Sequence, residues 1–119
     1  MQQFRTLIVD DEWLIRYELK SMLSQYPNVK VVGEAANLKE AVQAVRETKP
    51  DLVFLDIQMP GGSGFTFLEQ VKIDFKVIFV TAFTPHFARA QEFGAIDYLL
   101  KPISKDRLTR AIQRLADGL

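Results

Sequence analysis

Cysteine is absent from the 119 residues, histidine and tryptophan occur once each, and there are only five prolines and six glycines. The missing thiols exclude disulfides and thiolate metal sites, and one imidazole cannot build a histidine-ligated zinc centre. Neither sign of charge is in excess: fifteen basic side chains balance fifteen acidic ones. No global field therefore draws the chain toward nucleic acid or an anionic membrane, and any DNA contact needs a local patch or another domain. The opening "MQQFRTLIVDD" carries an apolar run too short for a membrane span or a signal peptide and meets acids too soon, so the expectation is a cytoplasmic chain with no membrane partner. Repeats, low-complexity tracts and internal linkers are also missing.

What is present is an ordinary globular balance, 48% hydrophobic and 25% charged, at a length that suits one domain over residues 1–119 with a real core. Five β-branched or aromatic runs read as strands: Phe4 to Val9, Val29 to Glu34, Leu52 to Leu55, Lys76 to Val80 and Ile96 to Leu100. Segments of helical period alternate with them. The first carries Ile15, Leu19, Met22, Leu23 and Tyr26 and stops at Pro27. The second places Leu38, Ala41, Val42 and Val45 on one face, with Asn37 and Glu40 spaced as a capping box. A third is expected from about Ser63 to Val71, and a fourth from Pro85 to Phe93 with Gly94 as its stop. The fifth starts at a Ser104 cap and presents Leu108, Ala111, Ile112 and Leu115. Trp13, Phe87 and Phe93 read as packing residues and His86 as a surface residue.

Strict β/α alternation with nearly all-apolar third and fourth strands predicts an α/β fold, a flavodoxin-like (βα)5 doubly wound five-stranded parallel sheet of order 2-1-3-4-5. Right-handed crossovers cover both faces only if the chain reverses once, between strands 1 and 3, and ligands of such sheets sit at the carboxyl strand ends there. Those ends carry Asp10 and Asp11, Asp56, Thr81 and Lys101. Each alone has an ordinary use as a cap, a turn residue or a solvated charge, but all five share the edge where this fold binds ligands. Carboxylates about 4 Å apart repel by about 4 kcal/mol at an effective dielectric of 20, so three together invite a cation, and hard oxygen donors favour Mg²⁺. A carboxylate beside that ion can act as a nucleophile toward phosphorus, with Lys101 supplying positive charge and Thr81 a hydroxyl. The rigid run "DLVFLD" then aims Asp56 into the crevice, and "MPGGSG" lets backbone approach the metal without Cβ obstruction.

The combination of "VDDE", "LDIQMPGGSG", "VTA" and "DYLLKP" resembles the receiver domain of two-component response regulators across essentially the whole chain. The resemblance implies a phosphoacceptor rather than a turnover enzyme, one that catalyses its own phosphotransfer and slow autodephosphorylation. Asp56 takes a phosphoryl group from a sensor histidine kinase. Asp11, Asp56 and the Gln58 backbone carbonyl ligate Mg²⁺, Asp10 helping through water, and Thr81 and Lys101 bind phosphoryl oxygens. It also implies a cis peptide at Pro102, a switch made of Thr81 and Tyr98 that alters the face of helix 4, strand 5 and helix 5, and tuning of phosphate lifetime by Gln58 and Phe83. That face would serve a homodimer, and control of transcription would pass to a C-terminal DNA-binding domain beyond this chain, with no direct nucleic-acid contact by the receiver. The stretch "VTAFTPHFARAQEFGAIDYLLKPI" is most similar to receivers of the LytTR-type (LytR/AlgR-like) subfamily, whose fifth strand commonly reads "DYLLKP". A stand-alone phosphoacceptor or a pseudo-receiver binding module are the alternatives.

Two other classes fit less well. A haloacid-dehalogenase-like hydrolase needs a second Asp where Gln58 stands, and a flavodoxin-like electron carrier would have to seat a flavin phosphate against Asp10, Asp11 and Glu12.

Overall fold

The computed structural model describes residues 3–82 and 87–118. Its main sheet holds β1 (Phe4–Val9), β2 (Val29–Ala35), β3 (Leu52–Leu55), β6 (Lys76–Thr81) and β7 (Asp97–Leu100), all parallel, in the order β2-β1-β3-β6-β7. This is the expected order of five principal strands. The helices are α1 (Trp13–Leu23), α2 (Leu38–Thr48), α3 (Gly64–Gln70), α4 (Phe87–Glu92) and α5 (Lys105–Ala116).

The period-two geometry of a strand divides even an all-apolar run between two faces. Leu52 and Phe54 join Ile8, Ile78, Val80 and Leu99 against α1 and α5, whereas Val53 and Leu55 join Leu7, Val9, Val77 and Phe79 against α2 and α3. Each such buried side chain contributes roughly 1.5–3 kcal/mol. The sheet is thus clamped from both sides, and its strand ends form a rigid frame.

Helix starts follow the caps read from sequence. Asn37 accepts the Glu40 amide at 2.8 Å, while the Glu40 carboxylate accepts from the Ala36 amide at 2.9 Å, one residue earlier than the usual box. Ser63 and Thr66 form a reciprocal box at α3, and Ser104 accepts the Arg107 amide at 3.2 Å. Gly94 closes the α4 turn at φ 72°. The last peptide of the strand-end frame, Lys101-Pro102, is cis.

Two features depart from expectation. Between β3 and α3 the loop folds into a hairpin of β4 (Gln58–Met59) and β5 (Gly62–Ser63). Trp13 does not pack: it is 67% exposed. At 100° per residue it sits well away from the stripe of Leu19 and Leu23 that α1 buries, sharing the outer face with Tyr17. Phe93 does pack, stacked on Phe65 with centroids 5.5 Å apart. Phe83, His86 and the side chain of Phe87 lie outside the described residues.

Candidate functional site

Register builds the site before any side chain is considered. Val9 lies opposite Leu55 and Leu55 opposite Phe79, so β1 and β3 end level. The Asp56 amide donates to the Val9 carbonyl at 2.9 Å, which fixes Asp10 and Asp56 as neighbours. Thr81 lies opposite Leu100, and the Lys101 amide donates to the Thr81 carbonyl at 2.9 Å. Residues 10, 56, 81 and 101 are therefore brought to one edge by backbone pairing alone.

The side chains then converge. Lys101 Nζ lies 2.8 Å from Asp10 Oδ2, 3.1 Å from Asp56 Oδ2 and 3.2 Å from Glu12 Oε1. The two aspartates are buried, with side chains 3% and 6% exposed, and the lysine side chain is 11% exposed. Thr81 is fully buried at the same end of β6. Asp11, Glu12, Asp56, Gln58, Thr81 and Lys101 share the lining of a crevice of about 350 Å³. Tyr98 is half-buried on the other side of β6, its ring 6.1 Å from that of Phe79.

Burial pushes the Asp10 carboxyl above its ordinary range, and the hydrogen bond from Lys101 only partly offsets this. Asp56 is raised in the same direction, by burial first and by the charge of Asp10 second, again against Lys101. Burial works against the Lys101 ammonium, but its hydrogen bonds and attraction to Asp10 and Asp56 prevail and hold it above its ordinary value. These directions agree: the site is short of positive charge.

Carboxylate oxygens of Asp10, Asp11, Glu12 and Asp56 lie within 4.8 Å of one another. All are hard oxygen donors, and an ammonium already contacts three of them, so the donor set suits a compact, oxygen-seeking divalent cation such as Mg²⁺.

Asp56 is held in place from behind. The Gly64 amide donates to the Ile57 carbonyl at 2.7 Å, and a Cβ at Gly64 would overlap the Asp56 carbonyl oxygen. The glycine-rich loop thus serves close approach at Gly64, which the loop reading did not single out. Asp10 does not cap α1 through the usual position; its Oδ1 accepts the Glu12 amide at 2.9 Å, while Glu12, the N-cap residue, makes no side-chain cap bond. Arg16 donates to the Asp10 carbonyl at 2.6 Å and reaches Glu34 at 3.1 Å, tying the first loop to β2. Glu12, a partner of Lys101, was not among the expected site residues, although the run of three acids was its signal.

Residues 6–113 match the family described as response regulator receiver domain. The chain is 44% identical over 115 residues to an uncharacterized response regulatory protein of Shewanella oneidensis, covering 95% of this chain and 49% of that protein. It is 41% identical over 113 residues to the transcriptional regulatory protein BtsR of Escherichia coli K12, covering 93% and 47%. The signal receiver domain of the putative response regulator NarL from Mycobacterium tuberculosis superposes with a TM-score of 0.85 at 27% identity, over all of both chains. The chain spans about half the length of the curated relatives it matches.

Proposed function

Because the chain belongs to the response regulator receiver domain family, we propose that Asp56 is its phosphoacceptor and that phosphorylation changes the face made by α4, β7 and α5. The observation that carries this reading is the meeting of three charged groups from three strand ends, with the Asp10 and Asp56 carboxylates both within 3.1 Å of the Lys101 nitrogen.

The donor is a phosphohistidine on a sensor histidine kinase. An Asp56 carboxylate oxygen attacks phosphorus, the O–P bond of an acyl phosphate forms, the P–N bond breaks, and the imidazole leaves with the electron pair. Lys101 stays hydrogen-bonded to the growing negative charge, and the Thr81 hydroxyl donates to a second phosphoryl oxygen. Asp11, Asp56 and the Gln58 carbonyl would hold Mg²⁺, with Asp10 acting through water. Bound there, the ion neutralises phosphoryl charge. Thr81 and Tyr98 form the switch: drawing Thr81 toward Asp56 shifts the loop after β6, and Tyr98 turns inward to fill the space vacated. The chain thus acts as a signalling module that catalyses its own phosphotransfer and slow dephosphorylation.

Outside the receiver, the reading is of a cytoplasmic regulator with a C-terminal DNA-binding domain of LytTR type and a homodimer through α4, β7 and α5. The relatives named as transcriptional regulators support DNA-binding output in general, and "DYLLKP" alone supports the LytTR type. Among the described residues no helix is long and apolar enough to cross a membrane.

Intact-mass measurement after incubation with acetyl phosphate and Mg²⁺ tests the proposal. One phosphate adduct on the wild type and none on Asp56→Asn is expected, and an adduct on both would remove Asp56 from the role. Followed over time, the same signal reads the decay rate; Phe83→Glu, at the second of the two positions expected to tune it, is expected to change that rate, and an unchanged rate would refute the tuning role.

A further inference from the structure

Beside the acidic crevice lies a second cavity, a groove of about 800 Å³ between α2 and the turn after β4. Leu38 and Val42 form its half-buried apolar floor, Pro60 and Gly61 one wall, and Lys39 and Arg46 stand exposed at its rim. Asn37, Gln43 and Gln70 supply the remaining polar lining, and no carboxylate lines it. In a chain with equal numbers of acids and bases, a lining with two cations and no anion is locally biased in charge.

Residues 38, 39, 42, 43 and 46 lie on one face of α2, and from Leu38 to Arg46 the helix advances about 12 Å. Nearby Gly62 leaves little room: a Cβ there would come within 3.1 Å of Leu38, so the hairpin is seated directly on the groove's apolar floor. The dimensions suit a small molecule, since pockets of about 300–1,000 Å³ accommodate ligands of that class. The lining specifies its chemistry: apolar surface in the middle, cations at the edge, amides for orientation.

The geometry points to a binding site for an amphiphilic carboxylate or sulfonate, its apolar body on Leu38, Val42 and Pro60 and its anionic head at the rim held by Lys39 or Arg46. The groove adjoins the acidic crevice, with which it shares Pro60, but its polar lining is of opposite character: the crevice carries Asp11, Glu12 and Asp56, which would repel the same head group.

A matched pair of probes tests it: 8-anilinonaphthalene-1-sulfonate and the neutral N-phenyl-1-naphthylamine, which has the same rings without the sulfonate. On ¹⁵N-labelled full chain, the sulfonate is expected to shift amide resonances of residues 37–46 and Gly61. Reversing both rim charges, Lys39→Glu with Arg46→Glu, is expected to weaken the sulfonate about tenfold and the neutral probe less than twofold, as for loss of two exposed ion pairs. Val42→Glu, which places a charge on the floor, is expected to weaken both probes, and an unaltered melting temperature shows that each variant is folded. Shifts centred elsewhere, or equal affinities of both probes for wild type and double variant, would overturn the assignment.

Discussion

Replacing Lys101 with methionine keeps most of the aliphatic stem and removes only the ammonium that Asp10 and Asp56 share. At an effective dielectric of 20, each contact near 3 Å corresponds to about 5 kcal/mol of attraction, and desolvation of buried ions offsets much of it. Glu12 adds little, because its side chain is 60% exposed. Leaving two buried carboxylates without their cation is expected to cost about 3–5 kcal/mol, a large part of the roughly 5–15 kcal/mol by which such a domain is stable. Urea denaturation in EDTA at pH 7 should show this loss, and the melting temperature should fall by roughly 10 °C or more. Two controls separate the mechanism from simple loss of packing. Acidification to pH 5 should shrink the deficit, because protonation of either aspartate relieves the repulsion. Added Mg²⁺ should stabilise the variant more than the wild type, since it supplies the missing positive charge. A loss below about 1 kcal/mol in EDTA, or a deficit independent of pH, would refute this electrostatic account.

Other expectations follow from the same geometry. With divalent ions removed, the raised Asp56 carboxyl means that the native state binds more protons than the unfolded state, so its stabilising contribution is present below the ordinary value of 3.8 and is lost as pH rises through the raised one. Asp56→Asn should therefore gain on the wild type as pH increases toward 7, and a constant or opposite difference in denaturant midpoints would contradict the burial argument. Gly64→Ala must displace the Asp56 carbonyl. A destabilisation of about 1–3 kcal/mol is expected, with weaker Mg²⁺ binding by calorimetry, and wild-type values for both would show the backbone to be freer than described. Trp13, exposed and one residue from Glu12, should report Mg²⁺ through its fluorescence; a flat titration at concentrations that stabilise the fold would separate it from the site.

The parts that could be read from sequence are those where one residue type has one physical use. Val, Ile and Phe runs became strands, and Asn37 and Ser104 became caps, because each choice is decided within a few residues. The hairpin of β4 and β5 was not legible, since two-residue strands have no period. Trp13 was misread because hydrophobicity alone does not say which side of a helix a residue occupies. Pairings between distant residues were also invisible. Asp97, read only as part of the "DYLLKP" motif, is a buried carboxylate that receives Arg107 at 3.2 Å and Arg114 at 3.4 Å, a contact that exists only once α5 lies along β7. Lys101 was expected at the same strand edge as Asp10, Asp11 and Asp56, and strand register does bring it to Asp10 and Asp56; its third carboxylate partner, Glu12, comes from the loop after β1 and was not foreseen.

The span of that lysine contact along the chain has a further consequence. Glu12 and Lys101 are 89 positions apart, so the constellation has no local precursor. A growing polypeptide on the ribosome, a proteolytic fragment ending before the last strand, or a molecule with that strand frayed has the Asp56 carboxylate but not the cation opposite it. On the proposed reading, the site is competent only once the strand that carries Lys101 is in place.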